Sequence, residues 1–184
     1  MKCTKCKEGQ FIPGFIDSLF RAHICNNCGG NWVLIEDFVT WKEKNPEYQF
    51  ANDLQVEEEP TESPQALLCP VTGALLLKFK ISSATNHRID YSAAVGGIWL
   101  DKGEWALLKT SGVAGSLNHI VTQSWQHQLR TETAKENFQK LYTSKFGKET
   151  YAKVKEVRDW LQSQPQKADL RAYILAEDPY STEK

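Results

Sequence analysis

No stretch of the 184-residue sequence approaches the ~18 consecutive apolar residues of a membrane-crossing helix. The opening "MKCTKCKEGQ" is polar and lacks the apolar centre of an export signal. Both absences point to a cytoplasmic protein with no membrane partner. A strong net charge is missing too: 22 Lys and Arg stand against 23 Asp and Glu, for a formal charge of −1. The chain as a whole has no strong unspecific attraction to polyanions, and no segment holds the dense basic stripe of a dedicated DNA binder. Phosphate-binding glycine loops, activated-serine arrangements and the HExxH pattern of open metal sites are also absent. The expectation is a protein without catalytic activity.

The sequence does hold enough apolar and aromatic residues to bury a core: 41% apolar, with six Trp, six Tyr and eight Phe. Its charge is uneven. Residues 1–65 carry 6 basic and 11 acidic side chains, residues 66–115 carry 5 and 3, and residues 116–184 carry 11 and 9.

Four of the five cysteines form two close pairs, Cys3-Thr-Lys-Cys6 and Cys25-Asn-Asn-Cys28, eighteen residues apart. In a reducing compartment such pairs more often bind metal than form disulfides. CxxC turns let two sulfurs reach one ion, and two such turns complete a tetrahedral zinc shell at ~2.3 Å per thiolate. Cys3, Cys6, Cys25 and Cys28 are therefore the expected ligands of one Zn²⁺. Four thiolates fill the shell, so the ion is expected to be structural, and in so short a module it supplies much of the folding free energy. Gly29 and Gly30 follow the last ligand, where a left-handed backbone is useful.

The pattern then returns in altered form. Aligning Cys3 with Cys69 places Cys6 on Thr72, Cys25 on Ser92 and Cys28 on Val95, with one extra residue. Gly29-Gly30-x-Trp32 falls on Gly96-Gly97-x-Trp99. We read an internal repeat whose second part has lost three of four ligands and binds no metal. His87 and Asp90 lie near the missing knuckle with Cys69, but two hard ligands beside one thiol do not reproduce zinc-site spacing. A buried, inert Cys69 is expected.

The segments "CPVTG" and "IDYSAAVGGIWLDKGEW" resemble the transcription-factor-IIB-type zinc-finger proteins of bacteria, whose pattern is CPxCG, a hairpin, then CxxCGGIWLDxGEL. The resemblance covers roughly residues 3–41 and 69–108. It implies a zinc ribbon in each: short β-hairpins, then a small helix entered near Asp101 and Glu104. The first ribbon keeps every ligand but replaces "IWLDKGE" with "NWVLIED". The family label speaks of fold and supplies little function.

The expected fold class is α+β. A zinc ribbon over 1–43 is followed by an acidic linker over 44–65, a degenerate ribbon-like module over 66–115 and a helical region over 116–184. In the second module Leu75, Leu77 and Phe79 alternate with Leu76, Lys78 and Lys80, as in a half-buried strand whose core side is the first set. Val95, Ile98 and Trp99 join that core, against which the helices pack. From Ser116 to Phe146 the sequence lacks Gly and Pro, and the spacing predicts a long helix with a shift of face or short break between Leu129 and Ala134. Gly147 caps it, and stripes at Tyr151, Val154, Val157, Leu161 and at Leu170, Tyr173, Ile174 add a hairpin partner and a short third helix. The tail aromatics, from Phe138 to Tyr180, are assigned to the core, with alternating Lys and Glu as a solvated face.

The function expected from these features is an adaptor that contacts a macromolecular partner, protein rather than nucleic acid, in transcription- or translation-related machinery. Lys2, Lys5, Lys7 and Arg21 near the first knuckle are the candidate partner-binding residues. The alternative is direct binding of RNA or single-stranded DNA by the ribbon and the basic, aromatic helices. The acidic run Glu57–Glu59 reads as a solvated spacer.

Overall fold

A computed structural model describes residues 1–50, 60 and 63–180; the acidic run at 57–59 lies outside the described residues. Two compact units divide the chain, Met1–Thr133 and Ala134–Lys184. The sequence placed a boundary near 115; in the structure the helical residues just beyond it belong to the first unit.

In the first unit Phe11–Ile16 (β1), Phe20–Cys25 (β2) and Asn31–Leu34 (β3) lead into helix α1, Ile35–Lys44. Leu77–Lys80 (β4), Arg88–Ser92 (β5) and Gly97–Leu100 (β6) lead in the same way into α2, Glu104–Thr110. The two sets do not form separate modules. They join into one antiparallel sheet of order β1-β2-β3-β6-β5-β4, in which β3 pairs with β6.

The register places Trp32 opposite Trp99 and Val33 opposite Ile98. Side chains alternate across a sheet, so each pair serves one face. On one face Val33, Ile98 and Leu100 join Phe20, Phe38, Ile89, Trp105 and Leu108 in the core beneath the helices. On the other Trp32 and Trp99 share a cluster with Cys3, Cys25, Cys69 and Leu76.

The glycines shared by the two sets sit under those tryptophans. A Cβ added at Gly30 would lie 2.3 Å from the Trp99 ring, and one at Gly97 would lie 2.0 Å from the Trp32 ring. Each indole thus crosses diagonally to the other ribbon's bare backbone, the close cross-strand contact a sheet offers. Gly29 and Gly96 do a different job: both adopt positive φ, +71° and +61°, where a side chain is strained.

The strand reading of 75–80 needs correction. Leu76, not Leu75 or Leu77, is buried, while the latter two are 57% and 49% exposed. β4 is an edge strand of the sheet. The helix-side core reaches Phe79, whereas Leu76 falls on the opposite face beside Trp99. Gln126 blunts part of this edge, donating from Nε2 to the Lys80 carbonyl at 2.8 Å and accepting from the Lys80 N–H at 3.3 Å.

A 3₁₀ turn at Ala114–Ser116 and a short helix α3, Leu117–Ile120, close the helix-side core through Ala114, Leu117 and Ile120. Helix α4 runs unbroken over Gln123–Phe146, so of the two readings of the step at 129–134, a shift of face or a short break, the break does not occur. In the second unit α5 spans Lys148–Ser163 after Gly147 at φ +78°, and α6 spans Lys167–Leu175. The core assignment of the tail aromatics is overturned: α5 and α6 bury no side chain, and Leu129 is the buried residue of α4. Phe138 is 58% and Trp160 52% exposed. Helical spacing alone does not distinguish an apolar stripe that packs within its chain from one left open.

Gly30→Ala and Gly97→Ala are each expected to destabilise the first unit by about 1–3 kcal/mol through overpacking against indole. Urea titration of the zinc-loaded chain measures this. Unchanged midpoints would show that the indoles do not rest on those backbones.

Candidate metal centre

The first knuckle is the turn before β1, and the second follows β2. Gly9 donates its N–H to Cys6 Sγ at 3.3 Å, and Cys28 donates its N–H to Cys25 Sγ at 3.5 Å. Pairing of β1 with β2 sets Phe11 opposite Cys25, which brings the two turns together. Gly9 is required here, since a Cβ there would stand 2.3 Å from Cys25 Sγ.

All four sulfurs lie within 4.8 Å of one another. Cys3 and Cys28 sulfurs are 3.6 Å apart, as are those of Cys6 and Cys25. Tetrahedral thiolates at zinc are separated by about 3.8 Å, from the ~2.3 Å bond length. The donor set, its spacing and the N–H groups aimed at sulfur fit one structural zinc. Without a cation the thiols pull in opposite directions. Burial pushes Cys3 and Cys28 up. For Cys6 burial also acts upward, but the Gly9 N–H and the Asn27 side chain outweigh it and hold the thiol down at about 6. Four neighbouring sulfurs ionise together only when a cation offsets their mutual repulsion.

The second set of strands repeats part of this backbone at Cys69–Gly73. Gly73 donates its N–H to the Cys69 carbonyl at 2.8 Å, as Lys7 does to Cys3 at 3.1 Å and Gly29 to Cys25 at 3.0 Å. Lys7 and Gly73 share positive φ, 60° and 73°. Thr72, Ser92 and Val95 stand at the remaining ligand positions. Burial raises the Cys69 thiol, but the Ser92 and Thr72 hydroxyls and the Thr72 and Val71 backbone groups outweigh it, and the net direction is down. Cys69, His87 and Asp90 do not form a ligand set. His87 Nε2 lies 2.6 Å from Glu104 Oε1, and Lys78 Nζ lies 3.2 Å from Asp90 Oδ2. Among the described residues the one group of three or more His, Cys, Asp or Glu side chains placed to hold a metal is Cys3, Cys6, Cys25 and Cys28.

Sequence reasoning missed how the first knuckle grips the second ribbon. Thr4 donates its hydroxyl to the Leu68 carbonyl. Lys5 Nζ lies 2.9 Å from Asp101 Oδ1, which also accepts Trp99 Nε1 at 2.7 Å. Ser63 donates to Asp101 Oδ2 at 2.7 Å, and the Asp101 N–H donates to Glu104 Oε2 at 2.7 Å. Burial pushes the Glu104 carboxyl up, with His87 acting against it. Lys5, offered as a partner-binding residue, is thus committed within the chain. Lys2 and Lys7 are exposed beside the knuckle. Arg21 is exposed too, but it stands on β2 beside the hairpin turn, opposite Phe15. A signal for the clasp was present in the acidic "LDKGE" stretch, whose Asp101 and Glu104 needed partners once buried.

A four-thiolate knuckle pair on a three-stranded hairpin-and-strand unit defines a zinc ribbon. Residues 2–44 match the family described as transcription factor zinc-finger, of the transcription-factor-IIB zinc-ribbon type, a match that covers the first ribbon through α1. No curated protein and no solved structure matches the chain.

Stripping zinc with a strong chelator is expected to expose Trp32 and Trp99 together, read as a red shift in tryptophan emission with new proteolysis inside residues 1–44. Unshifted emission after verified metal loss would contradict the metal's structural role. Thr72→Cys, Ser92→Cys and Val95→Cys combined, with native Cys69, are expected to add a second zinc by elemental analysis. Uptake of one zinc only would show that the second set of turns does not hold ribbon geometry.

Proposed function

We propose that this protein is a non-catalytic, zinc-dependent adaptor whose first unit docks a protein partner. Its four-cysteine shell leaves zinc no open coordination position for substrate, which supports a structural ion. The observation that carries the protein reading is an aliphatic patch on the second ribbon. Leu68 and Leu75 pair across an isolated bridge, and together with Val71 and Leu77 they are 49–57% exposed. The corresponding bridge of the first ribbon is polar, Lys2 with Gln10. Clustered exposed aliphatics of this kind mark protein contact surfaces.

Zinc bears on this patch through the first knuckle, because Thr4, between the ligands Cys3 and Cys6, is bonded to the Leu68 carbonyl. Lys2 and Lys7 near that knuckle would favour a partner with an acidic rim. A component of transcription or translation machinery is the class of partner proposed.

Leu75→Ser with Leu77→Ser changes exposed side chains only, so zinc content and fold are expected to persist. The variant should lose a protein captured by the native chain from nuclease-treated lysate of the source cells. Capture of the same protein by the variant, or its loss on nuclease treatment of the native sample, would contradict the reading.

A further inference from the structure

The second unit leaves an aromatic and basic face in solvent. Phe138, Tyr142 and Phe146 repeat at four-residue intervals on α4 and line one side of the helix. Their rings are close to parallel: Tyr142 and Phe146 centroids are 5.7 Å apart at 7°, and Phe138 and Tyr142 are 6.3 Å apart at 21°. Tyr151 of α5 extends the row, 6.2 Å from Tyr142 at 24°. These α4 rings are 40–58% exposed.

Charge is sorted around the row. Lys135 and Lys145 fall on the same side of α4 as the rings, and Lys145 Nζ lies 5.8 Å from the Phe146 centroid. Lys148 begins α5 just beyond. Glu136 falls on the other side of α4, as do Lys140 and Ser144. On α5, Tyr151 and Val154 share their side with Arg158, while Glu149, Glu156 and Asp159 fall opposite. Residues 134–161 hold seven Lys and Arg against four Asp and Glu. Lys135, Lys145, Lys148 and Arg158 therefore border the rings and the four anions are turned away, while Lys140 and Lys153 face the far side.

That arrangement argues against a second copy of this chain as the occupant, because pairing two such faces would bring like charges together. It matches a partner that carries flat apolar rings and regularly spaced negative charge. We propose that the exposed face of α4 and α5 within residues 134–158 binds single-stranded nucleic acid, with bases stacked on Phe138, Tyr142 and Phe146 and phosphates paired with Lys135, Lys145 and Lys148. Stacking on aromatics together with a basic margin is the physics of sequence-tolerant single-strand binding. The inference stands on the second unit and does not depend on the protein-docking patch of the first.

Fluorescence anisotropy of a labelled oligo(U) of about 20 nucleotides, titrated with the full zinc-loaded chain, tests it. Saturable binding is expected, and three phosphate contacts should make it fall about 20-fold between 50 and 200 mM salt. Tyr142→Ala should weaken it roughly ten-fold through lost stacking. Lys140→Ala, on the far side of α4, should leave it unchanged, and circular dichroism of each variant should show native helicity. A duplex of the same length should bind more weakly, since its bases are already stacked. Absence of oligo(U) binding at low salt would overturn the proposal. So would binding indifferent to Tyr142→Ala, or a duplex bound as tightly. Binding to vesicles of anionic lipid without binding to oligo(U) would assign the face to a membrane instead.

Discussion

Trp32 and Trp99 face each other across the β3–β6 pairing, and each indole lies over the other ribbon's glycine, Gly97 and Gly30. No larger residue fits beneath either ring. This reciprocal contact fixes the register of the central strand pair, because a slip of one residue in either strand would turn that strand's indole to the helix face. With the register set, Val33 and Ile98 point to the helices, and both knuckles lie on the face opposite. The retained Gly-Gly-x-Trp of the second ribbon is explained by this contact. Its first glycine serves a left-handed turn and its second serves the partner's tryptophan, and neither task requires a metal.

Around that centre the metal site and the second ribbon are joined by polar contacts. Asp101 is buried, yet its carboxylate receives the Lys5 ammonium, the Trp99 N–H and the Ser63 hydroxyl. Buried charge is tolerated where it is paired and hydrogen-bonded, and here the cation comes from inside the first zinc knuckle. At the other end of the sheet, Asp17 in the β1–β2 turn accepts Trp105 Nε1 at 2.8 Å and Lys109 Nζ at 2.5 Å from α2. The ribbon that holds zinc is thus tied at both ends to the ribbon that lacks the ligands.

Much of this is legible in the sequence. Ligand spacing alone located Cys3, Cys6, Cys25 and Cys28, because tetrahedral thiolate geometry constrains sequence tightly. The paired Gly-Gly-x-Trp motifs marked two left-handed glycines, Gly29 and Gly96, and two tryptophans that face each other. What spacing does not encode is which strands become neighbours, so the shared sheet and the Lys5–Asp101 clasp were not foreseen. The alternation at 75–80 gave the correct period and placed Phe79 rightly, but not Leu75 and Leu77, since an edge strand is covered unevenly. The tail aromatics were assigned to a core on helical periodicity, which reports a stripe but not its occupant. In the structure those rings stand exposed, in a row along α4.

The two sets of strands share one sheet about the β3–β6 seam, with the four-cysteine site at one end. Native-state hydrogen exchange of the zinc-loaded chain tests it most directly, because amides that open together belong to one cooperative unit. If the sheet opens as one unit, the seam amides of β3 and β6 exchange with the same opening free energy, and β2 and β5 follow them. Protection of β5 and β6 that outlasts β3 by a distinct, separately titratable step would contradict it and would return the two ribbons to independent modules.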